Sequence, residues 1–361
     1  VPISAVDTIN LAFQHTKRQL FQPFRFWQWT RLAIVGLLAG EMGSGGGNIN
    51  FPSGFNFPQK AGGGSQHLLA QNFPHLDPAI LGGLIAVLAI TGLVFIIVLM
   101  YISSVMRFIL FDSILAKECR IRAGWSRRQG PGWRYFLWHL GFMFVSLACM
   151  AVLVGVPALI AFARGWFSAP RQHLAPLIVL GIFVFLLVVI FGIAAAIVQV
   201  LTKDFVVPQM ALEGIGPIEG WRRLWPMMQG EAGGYAVYIG MKIVLAIGAG
   251  IVVGITSLIL ALIFAVPVIG VIVAAVFAGK AAGVTWNVFT ITAAIVAGCI
   301  AFFVFFYIIA LIAVPVIVFF PAYSIYFFAP RYRPLSLALY PPPPGTLPPI
   351  EPGWTPTPQP A

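Results

Sequence analysis

The run AILGGLIAVLAITGLVFIIVLMYISSVM, residues 79–106, carries no charge over 28 positions. As an α-helix it would extend about 42 Å at about 1.5 Å per residue, longer than the roughly 30 Å hydrocarbon core of a bilayer. It reads as a membrane span that tilts or projects beyond the bilayer. Outward from it the pattern recurs. Residues 136–163, 174–201, 235–264 and 286–314 are apolar runs of spanning length, and residues 27–40 form a shorter one. Together they predict an all-α polytopic transmembrane bundle of about six spans, with cytoplasmic amphipathic helices between the hairpins. Composition agrees. Of 361 residues, 60% are hydrophobic and 9% charged, against about 45–50% and 25% in a soluble domain. An ordinary soluble enzyme is excluded, because too little charge is present to cover its surface.

Three regions follow. Residues 1–26 form an amphipathic interfacial helix, in which Ile3, Val6, Ile9 and Phe13 recur at helical spacing and Pro23 ends the pattern. No signal-peptide core is visible there, and the first span is expected to act as the insertion signal. Residues 27–330 form the transmembrane domain. Residues 331–361 form a tail, and ten of the 21 residues from Pro341 onward are proline, which predicts polyproline II. Inside the transmembrane domain, residues 41–78 are rich in Gly and Asn with scattered Phe, and read as an external loop. Pro267 is expected to break the fifth span. Pro315 and Pro321 bracket residues 316–328, read as interfacial, with a seventh crossing left open.

The 21 Lys and Arg against 10 Asp and Glu give a net charge of +11. In a soluble chain this would suggest nucleic acid. Beside membrane spans it predicts cytoplasmic loops facing anionic headgroups, with membrane lipids and no nucleic acid as partners. Allotted to the loops, 17 of the 21 basic residues fall on one side, against Lys60, Arg164, Arg171 and Lys280 on the other. Both termini are therefore expected in the cytoplasm. The aromatic and basic residues that mark the interface are Trp27, Trp29, Arg127, Arg128, Trp133, Trp221, Arg222, Arg223 and Trp225. They also suggest three copies of a surface helix followed by a hairpin, marked by Lys17-Arg18, Arg127-Arg128 and Arg222-Arg223, each near a tryptophan. The alternative is that any membrane protein places Trp and Arg at its interface.

Several short stretches resemble a known family: Asp204-Phe205-Val206-Val207-Pro208, Ala211-Leu212-Glu213-Gly214, Gly216-Pro217-Ile218, Trp221-Arg222-Arg223-Leu224-Trp225 and Phe319-Phe320-Pro321-Ala322-Tyr323-Ser324, with Tyr332 and Pro334 after it. They are similar to an uncharacterised family of bacterial polytopic membrane proteins that itself resembles the membrane domain of glycerophosphoryl diester phosphodiesterases. The resemblance implies an integral membrane location and about six helices, and the bacterial inner membrane is the expected location. It implies no established activity.

The chemistry of that phosphodiesterase needs carboxylates around a metal and an acid–base pair. None of the five histidines is followed by Arg and no Glu-x-Asp occurs, so the catalytic domain is not expected here. Walker, HExxH and GxSxG patterns are missing too. Cys119, Cys149 and Cys299 form no CxxC pair. His67, His75 and Asp77 share a loop but make a poor metal set, and no cofactor or metal site is assigned. His139 reads either as an interfacial histidine or as an axial ligand for a haem or pigment. The middle of every span lacks charge, with Gln199, Asn287 and Lys242 near the ends, which disfavours ion-coupled transport. The small-residue pairs Gly250–Gly254 and Gly192–Ala196 serve helix packing or a subunit contact.

The expected function is a non-enzymatic accessory or scaffold subunit that packs against other membrane proteins. Tyr340, Leu347, Ile350 and Trp354 of the tail are the expected partner anchors. A lipid-handling protein or uncoupled transporter is the alternative.

Overall fold

The computed structural model describes residues 4–41, 78–167, 171–281 and 288–341. They form α1 (Asp7–Phe21), α2 (Phe26–Leu38), α3 (Pro78–Leu115), α4 (Ile121–Ala163) and α5 (Leu174–Leu201). A π-helical turn (Thr202–Val206) then leads into α6 (Val207–Glu213) and α7 (Pro217–Gly230), followed by α8 (Ala232–Ala281) and α9 (Val288–Phe328). A 3-10 turn (Ala329–Arg331) and α10 (Arg333–Leu339) end the described chain, which contains no strand. Five helices, α3, α4, α5, α8 and α9, are long and apolar enough to cross a membrane. The multi-pass expectation holds at that level. The segment expected to be the first span is α2, whose 13 residues reach only about 20 Å.

Two expected breaks are absent. α8 runs through Pro267, and α9 runs through Pro315 and Pro321. Residues 316–328 are thus the last turns of α9, neither a separate interfacial segment nor a further crossing. A proline removes one backbone hydrogen bond and strains the preceding turn, but membrane helices tolerate it where neighbours support the helix. The end of α9 has that support, since Val314, Ile317, Val318, Phe320 and Tyr323 are all buried.

The core sits at one end of the bundle. It gathers the C-terminal parts of α3 and α9 and the N-terminal parts of α4 and α8, together with α1, α2, the π turn and α6. Phe205 packs against Tyr235, Tyr238, Phe327 and Phe328 with ring centroids 5.1–5.9 Å apart, and Tyr238 stacks on Tyr323 at 5.1 Å. Away from this end the long helices stand exposed. In four of the five, no residue of the most apolar 18-residue window is buried, and in α9 the share is 28%.

α1 is turned in the opposite sense to a soluble amphipathic helix. Its buried face is Thr8, Ala12, His15, Thr16, Gln19 and Leu20, while Val6 and Phe13 point outward. The polar side chains are satisfied inside, for example by Thr16 Oγ1 donating to the Ala12 carbonyl. Apolar Val6 and Phe13 are left on the exposed face.

The internal pattern has a packing counterpart. Phe108 meets Tyr135 edge-on at 6.0 Å, and Phe205 meets Tyr235 edge-on at 5.3 Å. The residue after each phenylalanine lies against the glycine before the tryptophan. A Cβ on Gly124 would stand 3.0 Å from Ile109, and one on Gly220 2.6 Å from Val206. The α1–α2 copy is joined differently, with the Trp29 indole donating to the Leu20 carbonyl at 3.0 Å.

Candidate functional site

Five charged side chains from four segments converge at the packed end. The first is positioned by the close of α2. Gly40 takes the left-handed conformation (φ +82°), and the Glu41 N–H reaches back to the Gly36 carbonyl at 2.8 Å. This helix stop favours glycine, which has no Cβ to clash at positive φ. It turns the carboxylate of Glu41 back into the bundle, where only 1% of the residue remains exposed. The Lys203 ammonium donates to Glu41 Oε2 at 2.5 Å.

The π turn places the next pair. Its wider winding puts an extra residue into the helix, an arrangement frequent at functional sites. Lys203 faces Glu41, while Asp204 accepts from the Tyr238 hydroxyl at 2.9 Å and from the Lys242 ammonium. Arg107 of α3 completes the group. It donates to the Tyr135 hydroxyl and, at 3.0 Å, to the Ala39 carbonyl, and its Nε is buried with no partner. Burial works most strongly on Glu41, raising its pKa, but Lys203 and then Arg107 together outweigh it and hold the carboxyl below its ordinary value of 4.5. The network counts three cations against two anions, an excess of one positive charge.

A crevice adjoins it between α4 and α5. It is lined by Tyr135, Trp138, His139, Phe142, Val198, Gln199 and Thr202, and its volume of about 10 Å³ holds about one water. Thr202 Oγ1 is engaged, donating to the Val198 carbonyl at 2.6 Å and accepting from the Trp221 indole at 3.0 Å. The His139 ring stacks on Tyr135 at 6.3 Å.

Residues 3–338 match the profile of a family of unknown function, DUF7544. The chain belongs to that family. No curated protein and no solved structure matches it significantly. The DUF7544 match shows no relation to the phosphodiesterase membrane domain, though it agrees with an uncharacterised family.

In this DUF7544 chain the interface residues expected from sequence divide in two. Trp27, Arg127, Trp133, Arg222 and Trp225 are exposed. Arg128 turns inward instead, gripping both Asp112 oxygens at 2.6 Å and the Ala211 carbonyl at 2.6 Å. Arg223 pairs with Glu213 and, at 3.0 Å, with Glu219. Trp221 and Trp29 are half-buried donors to Thr202 and Leu20. Tyr340 is exposed, and Leu347, Ile350 and Trp354 lie outside the described residues, as do His67, His75 and Asp77. Among the described residues no three His, Cys, Asp or Glu side chains gather as metal ligands would.

Sequence reasoning missed the network because its members are spread over four segments, with only Lys203 and Asp204 adjacent. The available signal was the default reading of ionisable residues in apolar runs as functional, applied to Lys242 together with Lys203 and Asp204.

Proposed function

We propose that this protein is a non-enzymatic accessory or scaffold subunit of a membrane assembly, inserted in the bacterial inner membrane with both termini cytoplasmic. The observation that carries the reading is the contrast between the two ends of the bundle. One end is a dense core fixed by buried ion pairs, while the apolar reaches of α3, α4, α5 and α8 are uncovered within the chain. A rigid base with separated apolar helices suits a protein that presents them to neighbouring helices. Gly250 and Gly254 support this, since a Cβ at either would meet nothing within 4 Å. No other described helix uses this pair of small residues, and such pairs let helices approach closely.

The test is purification in mild detergent after crosslinking in native membranes, with mass spectrometry of what co-purifies. Recovery of the same partner proteins in fixed ratio is expected. Truncation after Tyr340 should weaken their retention, and Trp354→Ala should do part of the same damage. Recovery of the chain alone, crosslinked only to itself or to lipid, would end the subunit reading.

A further inference from the structure

The crevice between α4 and α5 has the chemistry of an anion site. Arg107 stands one hydrogen bond behind it, with the guanidinium donating to the Tyr135 hydroxyl and lying 5.4 Å from the ring centroid. Its other partner is the neutral Ala39 carbonyl, and no carboxylate lies within ion-pair distance of it among the described residues. The carboxylates nearby are engaged by Lys203 and Lys242. Arg107 is half-buried, its direct acceptors are neutral and its Nε has no partner, so a further anion close by would be favoured.

The crevice supplies the donors for that anion. The Tyr135 oxygen already accepts from Arg107, which polarises its own O–H and leaves it free to donate outward. The Gln199 amide and the His139 ring line the same space, and neither is hydrogen-bonded to the described protein. Trp138 and Phe142 complete the wall. Beyond the crevice both helices turn apolar and exposed, with Phe144 and Val145 on α4 and Ile190 and Ile193 on α5. The site thus opens where an apolar surface meets a charged end, which is headgroup depth. Aromatic residues are enriched at that level.

We propose that this crevice takes one phosphate oxygen of a singly charged membrane phospholipid. Tyr135, His139 and Gln199 donate to it, and Arg107 supplies the compensating charge. Size and charge both select the ligand. The space admits about one oxygen-sized atom, so the rest of the phosphate stays at the mouth and the acyl chains lie along α4 and α5. A phosphodiester carries one negative charge, which cancels the excess of the network. The proposal is independent of the subunit reading, since a bound lipid of this kind can serve a lone protein as well.

The experiment uses the full chain, delipidated in uncharged detergent and mixed with bicelles containing phosphatidylglycerol or, in its place, diacylglycerol. Lipid retention is measured by native mass spectrometry. One tightly held phosphatidylglycerol per chain is expected, with diacylglycerol not retained. Tyr135→Phe and Gln199→Leu, which keep the network charges, should each weaken retention about tenfold, or about 1.4 kcal/mol. Arg107→Gln should abolish it, and thermal unfolding of each variant identifies any that fail to fold. Equal retention of diacylglycerol, or undiminished binding in both neutral variants, overturns the site. Displacement by inorganic phosphate at matched concentration assigns it to a free anion and overturns the lipid.

Discussion

Lys242 of α8 donates to Asp204 of the π turn while both side chains are almost wholly withdrawn from solvent, 3% and 2% exposed. Each ion alone would be costly in this place, and the Tyr238 hydroxyl at 2.9 Å shares the carboxylate. Removing one partner of a buried pair leaves an uncompensated charge and costs about 3–5 kcal/mol, whereas replacing both by apolar residues is often close to neutral. Lys242→Met should therefore unfold at markedly lower temperature than wild type, and Lys242→Met with Asp204→Leu should recover most of the loss. Equal destabilisation in the single and double variants would contradict the pairing.

His15 makes a second link between segments. Its Nδ1 lies 3.1 Å from the Tyr326 hydroxyl and its Nε2 3.1 Å from Gln19 Oε1, while the Gln19 amide donates to the Ser113 carbonyl at 3.0 Å. Neutral histidine fits this chain, accepting from Tyr326 and donating to Gln19. Burial, outweighing the Gln19 hydrogen bond, lowers its pKa from the ordinary 6.5. The folded state thus holds fewer protons than the unfolded one between the two values. Its contribution is present above pH 6.5 and is lost as the pH falls through the lowered folded value. Thermal unfolding followed from pH 8 downward should show a decline beginning near 6.5 that His15→Gln flattens. An unchanged slope in the variant would place the titration elsewhere.

α2 and α9 touch through Gly36. A Cβ there would lie 2.3 Å from Ile317 Cγ2. Both residues are buried, so the contact cannot relax outward. Gly36→Ala should cost about 1–3 kcal/mol by overpacking, and adding Ile317→Ala should return part of it. Additive losses in the double variant would argue against direct contact.

The long helices were legible because their cause is local. An uncharged run such as residues 79–106 reads as one long helix whatever its neighbours do, and α3 covers it. What is set by tertiary contact was not legible. Pro315 and Pro321 look like breaks in one dimension, yet the packed surroundings of α9 carry the helix through them. Arg127 and Arg128 look alike in sequence, but only Arg128 falls on the face that meets Asp112. The charge network is harder still, because Glu41, Arg107, Lys203, Asp204 and Lys242 span 202 positions and no short-range pattern unites them.

The 17 to 4 division of basic residues predicts a topology that can be tested. Ser126 on α4 and Gln172 before α5 are both exposed and should lie on opposite sides of the membrane. With Cys119, Cys149 and Cys299 replaced, Gln172→Cys should react with an impermeant maleimide added to intact cells. Ser126→Cys should react only after the membrane is opened. Reaction of Ser126→Cys from outside would invert the assignment.

Gly250 and Gly254 separate folding from assembly. Among the described residues, nothing beyond the glycines' own neighbours and helix backbone lies within 4 Å of either Cβ position, and Ile251, Val252 and Ile255 around them are exposed. Leucine at these sites should leave the isolated chain's unfolding temperature unchanged or slightly raised, because leucine is about 0.8 kcal/mol better than glycine inside a helix. A neighbouring helix seated on the pair would lose its close approach, since small residues are what permit it. The double variant should therefore insert normally, unfold at the wild-type temperature or above, and recover less of the crosslinked assembly. If it instead unfolds earlier, the glycines serve a contact within the chain. If assembly is recovered in full, the partner lies on another helix face, and the exposed reaches of α3, α4 and α5 are the next to substitute.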